Sequence, residues 1–353
     1  MIRDSLCRVG QSRNGERAGG RTHDGWKAMG WMIRLAAGLV LVVGAAQVAH
    51  AGERWNMPTA YAETNYHTET AKLFAEAVGI CTGGTLEITV HANGSLYQGD
   101  EIKRAVETGR AAIGERFLSA HQGENAVFGF DSVPFLATSF EASERLWHAA
   151  KDRLAQVLAG QNLVLLYSVP WPPQGMYFKG AIESVADMEG IRFRANNEAT
   201  ARLAAHAGMP AVQVEAAMLR AALADGTAEA FISSGATGYD RQVWDYVSHF
   251  YDARAWMPRN YVFANKDAFA ALAAGARNCL RATALLAEAA GTTRARELTD
   301  WYLAQLTANG MSVKAPGKRL AADLAAIGAT MAAEWAKAAG SEGAAIIAAF
   351  EPE

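Results

Sequence analysis

Residues Val185–Ala195 read VADMEGIRFRA, and this run decides both the fold and where a function is to be sought. From Gly190 to Ala195 the alternation of side chains predicts a strand. Its period of two puts Arg192 and Arg194 on one face and Ile191 and Phe193 on the other. An arginine at a strand end facing a cleft can grip a carboxylate through two parallel N–H···O bonds. On these residues alone the alternative is a surface ion pair, the commoner fate of a strand arginine.

Outward from this run the chain alternates strands and helices, without internal repeats. Downstream, helix spacing covers Glu198–Ala207, and strands are expected at Ala228–Ile232 and Asn260–Asn265. Upstream, Thr68–Val78 carries apolar residues at helical spacing, and LEITVH (Leu86–His91) is rich in β-branched residues. Gly99–Thr108 predicts a short helix stopped at Gly109, with Ala111–Ile113 opening the next strand. This rhythm signals α/β domains with a largely parallel sheet. YSVPWPPQGMY (Tyr167–Tyr177) contains Pro170, Pro172 and Pro173, which bar a helix and make a stiff extended connector. Ala268–Asn309 and Ala321–Ala339 are mostly helix formers. Two α/β lobes joined by extended crossings, plus a long helix, describe a hinged clamshell.

The N-terminal segment is of another kind. Leu35–Val48 is an apolar run behind Arg34 and before Ala49-His50-Ala51. Those are the parts of a secretory signal cleaved after Ala51. Its 14 residues fall short of the ~20 that span a bilayer. Residues 1–51 are therefore set aside as signal peptide and upstream extension, with Met1, Met29 and Met32 as alternative starts. The whole chain of 353 residues has 33 Lys+Arg and 36 Asp+Glu; seven and three of these lie in 1–51, leaving 26 against 33. A net charge of −7 argues against a nucleic-acid binder and against a polybasic membrane anchor. Cys81 and Cys279 remain in the exported chain, either as a disulfide or as two separate thiols.

No catalytic constellation is present: there is no G-x-S-x-G, P-loop, H-E-x-x-H or C-x-x-C. His67, His91, His121 and His148 lie in separate elements without metal-ligand spacing and read as surface or helix-capping residues. Neither a metal nor an organic cofactor is expected, because arginine supplies a permanent charge for an anion.

VADMEGIRFRA resembles the V-x-D-L-K-G-hydrophobic-K-hydrophobic-R signature of TRAP-type (tripartite ATP-independent periplasmic) solute-binding proteins. Other blocks follow in that family's order: NYHTETAKLFAEAV (Asn65–Val78), TGGTLEITVHANGSL (Thr82–Leu96), EIKRAVETGRAAIG (Glu101–Gly114) and SVPFLATSFEAS (Ser132–Ser143). YSVPWPPQGMY and the stretch from Ser234 to Lys266 complete the set. The resemblance covers nearly all of 52–345. It implies a two-lobed periplasmic-binding-protein clamshell with a long helix spanning both lobes. Lobe I is then 52–171 plus 260–300, and lobe II 172–259 plus 301–353. It also implies that Arg194 binds a ligand carboxylate, that Asn65 lies near the ligand, and that the partners are TRAP membrane permease subunits.

The chain departs from the pattern in two places. Where many members have Q-E-N-P, DGTAEAFISSGATG puts Phe231, Ser233 and Ser234. Sialic-acid binders carry a further arginine where this chain has Gln174, which argues against a sialic acid. Trp171, Tyr66 and Tyr177, with Tyr61 and Trp256, give the cleft candidate aromatic walls, and Arg116 with Glu115 is placed at its mouth. Several of these aromatics are equally compatible with core packing. The expectation is a periplasmic receptor, not an enzyme, that closes on an organic acid anion, a monocarboxylate with an apolar or aromatic body. A secreted α/β enzyme acting on a small carboxylate and an ABC-type solute-binding protein are the alternatives.

Overall fold

In the computed structural model the described residues are 52–350; the expected signal peptide, with cleavage expected after Ala51, lies outside them. The chain opens with strand β1 (Glu53–Pro58), helix α1 (Tyr66–Cys81), β2 (Leu86–His91), α2 (Ile102–Glu107) and β3 (Ile113–Phe117). Helix α3 (Phe140–Gly160) leads into β4 (Leu163–Pro170), and the proline-rich segment then carries the chain to β5 (Gly175–Phe178). Next come β6 (Phe193–Ala195), α4 (Glu198–His206), β7 (Ala211–Gln213), α5 (Leu219–Ala224), β8 (Ala230–Ser233) and α6 (Gly235–Asp240). Strands β9 (His249–Tyr251) and β10 (Arg259–Asn265) precede α7 (Lys266–Ala271), α8 (Ala274–Ala308), β11 (Ser312–Lys314) and α9 (Lys318–Phe350).

Two main sheets result, one per lobe. The first has the order β3-β10-β4, beside the parallel pair β1-β2; the second runs β11-β9-β5-β8-β6-β7. The expected largely parallel sheet is corrected to a mixed one. Strand β10 is antiparallel to both β3 and β4, and β5 is antiparallel to both β8 and β9. Those are the two strands that enter a sheet directly from the other lobe. A helical crossover returns the chain parallel, whereas a strand arriving by an extended crossing is free of that constraint. Strands β6, β7 and β8, linked through α4 and α5, do run parallel.

Each sheet buries both faces, with a side-chain period of two. Along β10, Val262 and Ala264 join the core under α1 and α8, while Tyr261 and Phe263 join the one under α3 and α9. Across the second sheet, Met176, Phe178 and Ile232 pack with α4 and α9, while Tyr177, Phe231 and Phe250 pack with α5 and the end of α8. Helix α8 has 35 residues, about 50 Å at 1.5 Å per residue. It packs on α1 and β4 of one lobe and on α6 and β11 of the other. The expected single stretch from Ala268 breaks at Leu272–Ala273, where the Arg277 guanidinium takes the carbonyls of Ala270 and Leu272. Helix α9 kinks at Gly340, whose φ of 53° lies in the left-handed region where glycine has no Cβ penalty. Cys81, closing α1, forms a disulfide with Cys279 in α8 at a Cα–Cα distance of 5.7 Å. Strand β1, helix α3 and the short elements β7, α5, α6, β9 and β11 have no counterpart among the elements expected from the sequence.

Candidate functional site

Where the ends of β3 and β4 meet those of β6 and β8 lies a cavity of ≈ 40 Å³, partly open to solvent. That is a few times the ~10–15 Å³ one water needs, so the cavity suits a small molecule. Arg194 forms one wall. It is paired in parallel with Val212 of β7 and Phe231 of β8, and it is buried. Its Nε donates to the Val214 carbonyl at 2.8 Å, which anchors the base of the guanidinium. No carboxylate lies within salt-bridge distance of it among the described residues, and its two terminal nitrogens have no protein partner there. Burial pushes its pKa down to about 10, against the pull of the nearby Glu215 carboxylate; the group stays cationic at neutral pH. Arg192 takes the other course: its Nε binds the Gly226 carbonyl and an Nη meets Glu229 at 3.1 Å, in solvent.

Of the other expected site residues, Trp171, Gln174 and Ser233 share this cavity with Arg194. The Gln174 Nε2 donates to the Pro172 carbonyl at 2.9 Å, leaving Oε1 without a partner among the described residues. The Trp171 Nε1 donates to Asn260 Oδ1 at 2.9 Å, and the Tyr61 hydroxyl donates to the same oxygen at 3.1 Å. Tyr61 and Trp256 line the cavity too.

The remaining expected residues do not line it. Asn65 caps α1, its Oδ1 accepting from the His67 N–H at 2.9 Å, while Nδ2 donates to Asp240 at 2.6 Å. Burial pushes Asp240 up to about 6, the Asn65 bond opposing. Tyr66 donates to the Pro170 carbonyl at 2.6 Å. Tyr177 and Phe231 stack at 4.2 Å and 7° inside the lobe core, and the Tyr177 hydroxyl donates to the Ser234 carbonyl. The Ser234 Oγ is buried without a partner among the described residues.

Arg116 and Glu115 also find places other than an open mouth. Arg116 reaches across the cleft to Glu215, with Nη1–Oε2 at 2.9 Å and Nη2–Oε1 at 3.0 Å. This is a bidentate ion pair linking β3 to the segment after β7. Asn197 Nδ2 makes a second link, donating to Ser119 Oγ at 2.9 Å. Glu115 is buried beneath the aromatic wall, where its Oε1 accepts from Asn260 Nδ2 at 3.1 Å and lies 3.4 Å from His67 Nδ1. His67 is therefore a correction: it is no surface residue but wholly buried against Trp171, ring centroids 4.1 Å apart. His121 is largely covered as well, beside Glu124, and burial lowers its pKa to about 4.

Asn196, Asn197, Thr200 and Thr237 line the cavity without having been singled out. For the first three a signal exists: Asn-Asn directly follows the strand carrying Arg194 and caps the next helix, and ligands gather at such strand ends. A larger hollow of ≈ 300 Å³ lies against α9 and α4. The arginine there, Arg202, is already held by Glu334, so it offers no comparable anion grip.

No curated protein matches the chain. The family model for DctP, bacterial extracellular solute-binding protein, family 7, matches residues 58–341. Three solved structures are closely similar. One is a TRAP solute-binding protein specific for pyroglutamate from a marine metagenome (Sorcerer II Global Ocean Sampling Expedition, unidentified microbe), 52% identical, covering 85% of this chain and 98% of its own, with a TM-score of 0.84. DctP7 of Bordetella pertussis, an extracytoplasmic solute receptor binding pyroglutamic acid, is 42% identical over 85% of this chain and 99% of its own, TM-score 0.84. DctP6 of the same organism, likewise a receptor binding pyroglutamic acid, is 41% identical over 84% and 99%, TM-score 0.83. Among the described residues no helix is long and apolar enough to cross a membrane. The clamshell, its cleft and these likenesses agree: the chain belongs to family 7 of the bacterial extracellular solute-binding proteins and is a solute receptor of a TRAP-type transporter.

Proposed function

We propose that this receptor binds pyroglutamate, gripping its carboxylate with the two terminal nitrogens of Arg194. The observation that carries the reading is the contrast between two buried arginines. Arg116 is neutralised by Glu215, whereas Arg194 lines a small cavity with no carboxylate of its own among the described residues. One unspent cation calls for one carboxylate, and the fork of arginine matches it bidentately. The other walls fit a five-membered lactam. Tyr61 and Trp171 offer flat apolar surface to the ring, Gln174 Oε1 can accept from the lactam N–H, and the Ser233 and Thr237 hydroxyls can donate to its carbonyl. The three relatives described above, each named for pyroglutamate or pyroglutamic acid, support the same class.

In this reading the protein binds and releases its ligand unchanged, without metal or organic cofactor. Residues 1–51 serve export and are removed after Ala51. Lobe I comprises 52–171 plus 260–300, and lobe II 172–259 plus 301–353. Bringing the lobes together makes the Arg116–Glu215 and Asn197–Ser119 links, so ligand and latch favour the same closed state. The permease then receives a receptor whose closed form is populated according to ligand.

A thermal-shift and calorimetric panel tests the proposal. Pyroglutamate raises the melting temperature by mass action. Two fragments do not: 2-pyrrolidinone, which lacks the carboxylate, and cyclopentanecarboxylate, which lacks the lactam. Equal binding of 2-pyrrolidinone, or a stronger response to a dicarboxylate, overturns the reading.

A further inference from the structure

Two rings of the cavity wall hang on a single atom. Asn260, on β10 opposite Phe117 and Val169, is buried. Its Oδ1 accepts both the Trp171 indole N–H and the Tyr61 hydroxyl, at 2.9 and 3.1 Å. An indole nitrogen only donates, so the amide is oriented: oxygen toward the rings, Nδ2 toward Glu115 Oε1 at 3.1 Å. Behind Trp171 stands His67, ring centroids 4.1 Å apart, itself 3.4 Å from the same Glu115 oxygen. Tyr61 meets Trp171 edge-on at 4.9 Å and 65°. Every member is buried, so water cannot replace a lost bond at little cost.

We propose that Asn260 is a positioning residue for ligand selection: it sets the tilt of Tyr61 and Trp171 and thereby the ring size the cavity accepts. The inference rests on the reading of this cavity as a lactam-carboxylate site. Asn260 does not line the cavity; it acts through the two rings. The Glu115–His67 pair holds the amide and the indole from behind, which makes the wall one rigid unit.

Three variants test this, with two readouts. Asn260→Leu removes both ring anchors. Asn260→Asp with Glu115→Gln exchanges amide and carboxylate, keeping an acceptor for the rings and restoring the bond between positions 260 and 115. Asn260→Asp alone sets two carboxyls against each other. The first readout needs no ligand: the ¹⁵N indole resonance of Trp171, identified by its loss in Trp171→Phe. The second is the affinity ratio between pyroglutamate and its six-membered lactam homologue, 6-oxopiperidine-2-carboxylate. Asn260→Leu moves the Trp171 resonance and cuts the five-over-six preference by about tenfold, the scale of one hydrogen bond. The exchange variant keeps both near wild type, a rescue that a merely structural role does not require. If Asn260→Leu does not fold, the comparison of Asn260→Asp with the exchange variant carries the same test. A Trp171 resonance unmoved by loss of the anchors, or a ring-size preference unmoved in a protein that still binds, overturns the proposal. If wild type binds neither lactam, the pyroglutamate reading and the ring-size selection both fall, and an unmoved resonance then removes the anchoring role as well.

Discussion

Replacing Glu215 by glutamine breaks the ion pair that ties the two lobes together across the cleft, while leaving both cores intact. The pair is bidentate, at 2.9 and 3.0 Å, and its partners differ in exposure: the Arg116 side chain is 1% accessible and that of Glu215 17%. Arg116 also lies over the Phe117 ring, 4.3 Å from its centroid, and its Nε has no partner among the described residues. Glu215 is thus its only counter-charge there. Truncating one member of a desolvated, hydrogen-bonded charge pair costs about 2–5 kcal/mol. Partial solvation of Glu215 places this case at the low end, near 2 kcal/mol, or roughly thirtyfold in an equilibrium constant. The pair joins segments of different lobes, so the cost falls on the closed state and appears as weaker ligand binding, not as unfolding of either lobe. Calorimetric titration of wild type and Glu215→Gln with pyroglutamate, beside thermal melts of the ligand-free proteins, measures both. Unchanged affinity would show that the ion pair does not contribute to closure.

A methyl group at position 99 tests the same latch from another side. The Cβ of an alanine there meets Glu215 Oε2 and Arg116 Nη1, so Gly99→Ala weakens ligand binding, and a titration matching wild type contradicts it. Asp240 has its pKa raised from 3.8 to about 6 by burial, so the folded protein holds that proton more tightly than the unfolded one. Its contribution to stability is complete below pH 3.8 and is lost as pH rises through about 6. Asp240→Asn therefore gains on wild type in melting temperature across that window, and a pH-independent difference refutes the assignment. The Cys81–Cys279 bond spans a sequence separation of 198, and reducing it costs roughly 2–5 kcal/mol of unfolding free energy. Coincident denaturant midpoints with and without reductant would contradict this.

How much of this was legible in the sequence follows the range of the forces involved. The strand carrying Arg194 and the helix after it announce themselves through local periodicity, and the long helix α8 through its run of helix-forming residues. The break before α8 depends on Arg277 reaching back to two carbonyls, and no periodicity records it. Strand direction depends on how the chain enters each sheet, so the antiparallel settings of β5 and β10 were not readable from the strands themselves. At the site, Arg194 stood out because its neighbours mark it. The partner of Arg116 lies 99 residues away, and Asn260 sits inside a strand that reads as ordinary core. His67 read as a surface or helix-capping residue, yet α1 turns that face inward onto Trp171 and Glu115. Phe231 and Tyr177 are on strands leading to the cleft, but their stack belongs to the core beneath it.

The central claim is that Arg194 grips a ligand carboxylate through its planar fork. Arg194→Lys keeps the charge and loses one of two parallel bonds. Calorimetric titration of this variant with pyroglutamate, with Arg192→Lys as control, isolates that fork. The account predicts a loss of about thirtyfold or more for Arg194→Lys, an unchanged melting temperature without ligand, and near-native binding for Arg192→Lys. Near-native affinity in Arg194→Lys would contradict it.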